Sequence, residues 1–181
     1  MKKTVVAALA AALVSTVSHA EGWRLFPIFS DSALKFEPTL ALTLNRVDPD
    51  EAGSQVATAY GIDFNFNCGL IQDPQNRIRT HLNISRSEKN GVEVMGYELS
   101  PRYTVPLGGG WSAGVGPSLA IFDLETATAK SSYGGLGLAA GVNYRAGAYY
   151  AGADLRYHGT DNKRSADYDN LAVGIKVGFN F

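Results

Sequence analysis

Acid–base, nucleophilic and metal chemistry would have to come from three histidines, one cysteine and scattered carboxylates and hydroxyls in this 181-residue chain. His158 is the best placed, with Thr160, Asp161 and Asn162 just behind it and Asp167 and Asp169 further on. A histidine can draw a proton from a hydroxyl while a carboxylate holds its tautomer, so His158, Thr160 and Asp167 or Asp169 form the one candidate catalytic set. His81 stands between Arg79 and Asn83 and suits a hydrogen-bonded interior histidine. No acid lies at ligand spacing from either histidine, so neither a metal site nor a cofactor is expected. Cys68 is the single cysteine, which excludes an internal disulfide or a thiolate cluster, and it reads as a small apolar filler. Gly108-Gly109-Gly110 is followed by no helix and no Lys-Ser/Thr pair, so it is a turn and not a phosphate loop.

The elements that would hold these residues begin after a leader. Lys2 and Lys3, the apolar run Val5 to Val14 and the small-residue end Ser18-His19-Ala20 have the order of a secretory signal peptide cut before Glu21. Residues 1–20 are therefore set aside. No later stretch approaches the roughly 20 apolar residues of a membrane helix. Without Lys2 and Lys3 the chain is slightly acidic, about −3, which gives no footprint for nucleic acid.

From residue 33 to Phe181 the chain alternates with period two, the signature of strands with one apolar face. The apolar sets are Leu34 to Leu44, Val56 to Phe66, Ile78 to Ile84, Met95 to Val105, Trp111 to Ile121, Leu136 to Tyr144, Tyr149 to Tyr157 and Leu171 to Phe181. Eight segments near the 9–11 residues of a tilted membrane strand close an antiparallel ring and leave no unpaired edge. The opposite parity holds Lys35, Glu37, Asp63, Arg77, Arg79, His81, Glu98, Arg102, Arg145, Asp154, Arg156, His158 and Lys176, interleaved with glycines. Such a set suits a narrow lumen, with the apolar parity turned to lipid, better than it suits the outside of a soluble barrel. Tyr60, Tyr103, Trp111, Tyr144, Tyr149 and Tyr157 sit near segment ends, as interfacial aromatics do. The turns Pro106 to Gly110 and Ala146-Gly147 alternate with polar links 47–54, 86–91, 123–131 and 159–167. Short turns then face the periplasm and the longer loops face outward. The link from Cys68 to Asn76 fits that rule least well. Residues 21–32, with Trp23, Leu25, Phe26, Ile28 and Phe29, read as an interfacial segment ahead of the barrel.

The leader, the eight amphipathic segments and the ending Val177-Gly178-Phe179-Asn180-Phe181 resemble the small outer-membrane barrels of the OmpA and OmpX type. The resemblance covers residues 33–181 as architecture. It implies an all-β, eight-stranded up-and-down transmembrane barrel in the outer membrane of a Gram-negative bacterium. It also implies that Phe179 and Phe181 are read by the barrel-assembly machinery. The set around His158 invites comparison with the lipid A deacylase barrels, but it has Thr in place of Ser, lacks the expected Glu and points into the lumen.

Buried charges are costly unless paired, so the lumen set is expected to form a salt-bridged plug. The role that follows is non-enzymatic: a monomeric barrel in contact with outer-membrane lipid and lipopolysaccharide. Its outer loops would present Asp48, Asp50, Glu51, Glu88, Lys89, Lys163 and Arg164. A narrow pore for small solutes is the alternative, and a lipid A-modifying enzyme using His158 a further one.

Overall fold

A computed structural model describes residues 22–50, 55–161 and 168–181. The leader at 1–20 lies outside the described residues, as do Glu51, Asn162, Lys163, Arg164 and Asp167.

Eight strands close a barrel: β2 (Thr39–Pro49), β3 (Ala57–Asn67), β5 (Ile78–Lys89), β6 (Val92–Gly108), β7 (Trp111–Glu125), β8 (Lys130–Ala146), β9 (Tyr149–Thr160) and β10 (Asn170–Asn180). Each pairs antiparallel with its neighbours in the chain, and β10 returns to β2 with Asn180 opposite Thr39. The remaining elements, β1 (Arg24–Leu25), α1 (Pro27–Ser30) and β4 (Ile71–Gln72), lie outside the ring. The end that holds Thr39 and Asn180 is called the terminal end below, and the opposite one the distal end.

The pleat divides the residues as the period-two pattern requires. Leu42, Ile62, Ile84, Val115, Leu136, Leu155 and Ile175 stand exposed on the outside, while Thr43, Asp63, Asn83, Ser118, Asp154 and Lys176 are buried within. Outward aromatics gather in two bands. Trp111 packs on Tyr144 with ring centroids 5.0 Å apart, Tyr149 on Phe179 at 6.1 Å, and Phe36 stacks on Phe66 at 4.4 Å, all at the terminal end. Tyr60, Tyr97 and Tyr157 lie further toward the distal end, level with the registers Leu44, Ile121 and Leu171.

The strands run into the links 47–54 and 123–131, to Pro49 and Glu125 and from Lys130, and three larger departures from the periodic reading stand out. The first barrel strand begins at Thr39 and not near Leu34. Glu37 holds a positive φ of 45° and Pro38 has no N–H to give a ladder, so the pleat cannot extend further back. The link 86–91 is not a loop: β5 runs to Lys89 and β6 starts at Val92, leaving Asn90 and Gly91 with φ of 52° and 76°. An Asn-Gly pair with both φ positive is the two-residue turn whose twist matches a hairpin. Polarity marked this segment as a loop only because the strands continue past the apolar belt.

The link from Cys68 to Arg77 contains β4, which pairs with β1 as Arg24 opposite Gln72 and Leu25 opposite Ile71. Gln72 fixes the return into β5 by bonding both backbone groups of Ile78: its Nε2 donates to the carbonyl at 2.7 Å, and its Oε1 accepts from the N–H at 3.0 Å. Cys68 is buried here. Residues 22–32 are thus tied to this link through backbone pairing, while Leu25, Phe26, Ile28 and Phe29 remain exposed.

Candidate functional site

Inward parity alone does not place charges in contact; the strand register does. Asp63 of β3, Glu98 and Arg102 of β6, Asp154 and Arg156 of β9 and Lys176 of β10 meet across the middle of the lumen. Asp154 takes Arg102 Nη1 at 2.8 Å on one oxygen and Lys176 Nζ at 2.9 Å on the other. Glu98 takes Arg156 Nη1 at 3.0 Å and approaches Arg102 at 3.9 Å, and Lys176 also lies 3.9 Å from Asp63. His81 Nδ1 sits 3.1 Å from both Asp63 oxygens. Three carboxylates thus face three cations, all buried, which is the condition under which burying charge is tolerable.

Small residues make room for this layer. A Cβ on Gly141 would overlap the Asp154 carboxylate, so the ion pair with Arg102 needs glycine opposite it.

Toward the distal end the lining changes from ionic to aromatic. His158 Nε2 lies 2.8 Å from Ser118 Oγ, Phe122 meets the imidazole edge-on at 5.4 Å, and Tyr168 packs on Phe122 at 5.2 Å. Burial of Tyr168, in the segment before β10, pushes its hydroxyl up to about 12. Of the partners proposed for His158, Thr160 and Asp169 are not brought to it, and Asp167 lies outside the described residues. The Thr160 hydroxyl accepts the N–H of Tyr168 at 2.7 Å and faces Asp169, whose carboxylate also takes the Thr160 N–H at 2.7 Å. Thr160 and Asp169 therefore brace the β9–β10 connection. The hydroxyl that does reach His158, Ser118, carried a signal only as one of several small residues on the inward parity of β7. Finding it required the registers β7 to β8 and β8 to β9. Both residues are buried, Ser118 completely, so this pair meets no lipid.

At the terminal end Arg79 donates to Asn67 Oδ1 at 2.8 Å, to the Glu37 carbonyl at 2.7 Å and to Asn65 Oδ1 at 3.0 Å. Arg145 donates to the same Asn65 oxygen at 3.0 Å and stands over the Tyr150 ring at 5.5 Å. Tyr150 lies on the inward parity, which polarity alone did not assign to it, and donates its hydroxyl to Asn143 Oδ1 at 2.6 Å.

Three members of the expected lumen set lie elsewhere. Lys35 and Glu37 precede β2 and are exposed at the terminal mouth, because the chain turns at Glu37 before the pleat begins. Arg77 precedes β5 and is held by Asp73, which takes its Nε at 2.6 Å, with the guanidinium 4.7 Å over the Tyr103 ring at the rim. Phe179 and Phe181 are outward and exposed, and the Phe181 N–H closes on the Pro38 carbonyl at 2.9 Å.

Cavities open at both ends of the lumen. The distal one, about 540 Å³, is bounded by Ala57, Val94, Leu124, Tyr133 and Tyr168. The terminal one, about 600 Å³, is bounded by Lys35, Glu37, Arg77, Arg79, Trp111 and Arg145. The ion-paired layer lies between them.

No protein-family model and no curated protein matches the chain. Solved structures do. The chain is similar to Neisserial surface protein A (NspA), with 15% identity over 80% of this chain and 95% of the other and a TM-score of 0.55. It is also similar to Ail, the attachment invasion locus protein of Yersinia pestis, solved with the heparin analogue sucrose octasulfate. There the identity is 11% over 82% of this chain and all of the other, with a TM-score of 0.52. At such identities the likeness is one of fold: the small, closed, eight-stranded antiparallel barrel of outer-membrane proteins.

Proposed function

We propose that the chain is an integral outer-membrane barrel protein of a Gram-negative bacterium, with a structural or surface-interaction role and no catalysis. The observation that carries this reading is the inverted polarity of the ring. Aliphatic side chains on every strand stand roughly half exposed or more on the outside, including Leu42, Val115 and Ile175, while the charges of the central layer inside are paired. Soluble monomers rarely expose a continuous apolar belt of that kind, and lipid is the solvent that suits it. Its partners would be outer-membrane lipid and lipopolysaccharide around a monomer, with Phe179 and Phe181 presented to the assembly machinery during biogenesis.

Heat-modifiable gel migration of the membrane-extracted protein tests the barrel in its membrane. The expected result is a folded band that shifts on boiling and fractionates with the outer membrane. A single unshifted band, or a protein recovered in the soluble fraction, would overturn the reading.

The cavities at both ends keep a narrow pore as the second reading. Planar-bilayer recording separates the two. The sealed barrel predicts silence, and conductance that changes in Arg79→Ala or Arg102→Ala would favour the pore. Incubation with purified lipopolysaccharide followed by mass analysis of the lipid covers the hydrolase alternative. Loss of an acyl chain that stops in His158→Ala would establish catalysis, whereas the enclosed position of His158 supports unchanged lipid.

A further inference from the structure

The lumen charges are balanced in the middle but not at the terminal end. Asp63, Glu98 and Asp154 answer Arg102, Arg156 and Lys176, so among the described residues no carboxylate of the barrel strands is left for Arg79 and Arg145. These two guanidinium groups lean on neutral oxygens and converge on one of them, Asn65 Oδ1, which each reaches at 3.0 Å. The donor nitrogens of two like-charged groups are thereby held no further apart than twice a hydrogen-bond length. The Nε of Arg145 is buried with no hydrogen-bond partner among the described residues. Arg79 is 6% exposed, so its charge has left bulk water with only the exposed Glu37 carboxylate, 3.8 Å away, as counter-ion.

The cavity they border, about 600 Å³, adds Lys35 from the segment before β2. Arg77 also borders it but is already neutralised by Asp73 at 2.6 Å. Among the described residues one carboxylate borders the cavity, that of Glu37, which stops 3.8 Å from Arg79 and is more than half exposed. It lies beyond hydrogen-bonding reach and is free to swing away. Lys35, Arg79 and Arg145 against Glu37 leave about two positive charges around a volume that admits a small polyatomic ion.

We propose that this terminal mouth binds a phosphate group, with Arg145 and Arg79 taking its oxygens in the position that the Glu37 carboxylate now only approaches. Guanidinium forks match the several acceptor oxygens of phosphate, and a doubly charged group suits the local excess better than a single carboxylate. Glu37 is then a built-in competitor for the same cations. The site rests on the barrel's internal geometry and not on where the barrel resides. The phosphate could be free or could belong to a lipid headgroup at the rim.

The test uses the full barrel refolded in a phosphate-free non-ionic detergent and titrated against inorganic phosphate, with phosphorus NMR line width as the readout. A second arm reconstitutes it in galactolipid vesicles with and without a minor fraction of phosphatidylglycerol and identifies retained lipid by native mass spectrometry. Saturable binding of inorganic phosphate points to a free ion, and retention of phosphatidylglycerol alone points to a headgroup; either supports the site. Arg145→Gln should weaken binding about tenfold, the worth of one charge-assisted hydrogen bond. Glu37→Gln should strengthen it about fivefold by removing a like charge near 4 Å in wet surroundings. A merely structural Arg145 would not make the Glu37 variant bind more tightly. Absence of binding in both arms, an Arg145→Gln barrel that folds and binds like wild type, or a Glu37→Gln barrel that binds no tighter would overturn the proposal. If Arg145→Gln does not fold, the exposed Glu37 variant decides alone.

Discussion

Asp154 is the side chain on which the central layer turns, and Asp154→Asn isolates its charge with almost no change in volume. In the wild type its two oxygens satisfy Arg102 at 2.8 Å and Lys176 at 2.9 Å, and both cations are 2% exposed. Removing one partner of a buried ion pair costs about 3–5 kcal/mol, because the abandoned charge stays out of water. Here two cations are abandoned together. Glu98, 3.9 Å from Arg102, and Asp63, 3.9 Å from Lys176, can each move closer, which argues for the lower half of that range. The assay is reversible urea unfolding of the barrel in lipid vesicles, followed by the fluorescence of Trp111 on the outer face. The midpoint should fall with an unchanged slope. The double variant Asp154→Leu with Lys176→Met, which leaves Arg102 to Glu98, should recover most of the loss. A change below about 1 kcal/mol for Asp154→Asn would refute the reasoning, since only a well-hydrated lumen would screen the two cations that effectively.

Three further outcomes follow from the same geometry. Leu42→Arg, at a side chain 67% exposed in the middle of β2, should cost about 2–4 kcal/mol in vesicles if the belt faces lipid, against about 0.5 kcal/mol or less in water. A neutral result in the same urea titration would mean that this face is wet. Gly137→Val should abolish the heat-modifiable folded band: a Cβ there would overlap the Tyr157 carbonyl and fall 2.9 Å from the His158 Cα. Wild-type migration of that variant would show that β8 and β9 do not approach so closely. Phe181→Ala should leave refolded stability within about 0.5 kcal/mol, because the ring is 75% exposed and the N–H to Pro38 survives. It should nevertheless lower the fraction assembled in cells, measured by outer-membrane fractionation; equal assembly would remove Phe181 from the signal.

Period two made the eight strands and their inner and outer faces legible, because a side chain's direction in a pleat depends only on its parity. What parity lacks is the third coordinate, the register between strands. His158 and Ser118 are 40 positions apart and touch only because Gly137 of β8 stands opposite His158 and Ser118 stands opposite Gly137. Thr160, two residues away, looked nearer and is engaged elsewhere. Phe122 and Tyr150 were missed for a different reason: both are bulky aromatics on the polar parity, and hydropathy sorts them with the lipid-facing set. Boundaries failed where backbone and not side-chain polarity decides. Glu37 turns the chain through a positive φ, and Asn90-Gly91 allows a hairpin so tight that a charged segment remains strand. The two-residue strands β1 and β4 are too short to display any period.

The pairing of β10 with β2 sets the order in which the barrel can come into being. Thr39 and Asn180 face each other at the ladder's end, their side chains 2.9 Å apart, yet they are separated by 141 positions. Closing a loop of that length costs roughly 4 kcal/mol in chain entropy beyond a constant, and no contact rewards it until the final strand has been made. Every other ladder in the ring joins neighbours along the chain, so a sheet can grow strand by strand while its two outer edges wait. In hydrocarbon those edges would be untenable, since their unpaired backbone groups have no water to turn to. Completion of the last strand must therefore precede the sealing of the seam, and a chain cut short of that strand keeps two sticky margins that can pair only with another molecule.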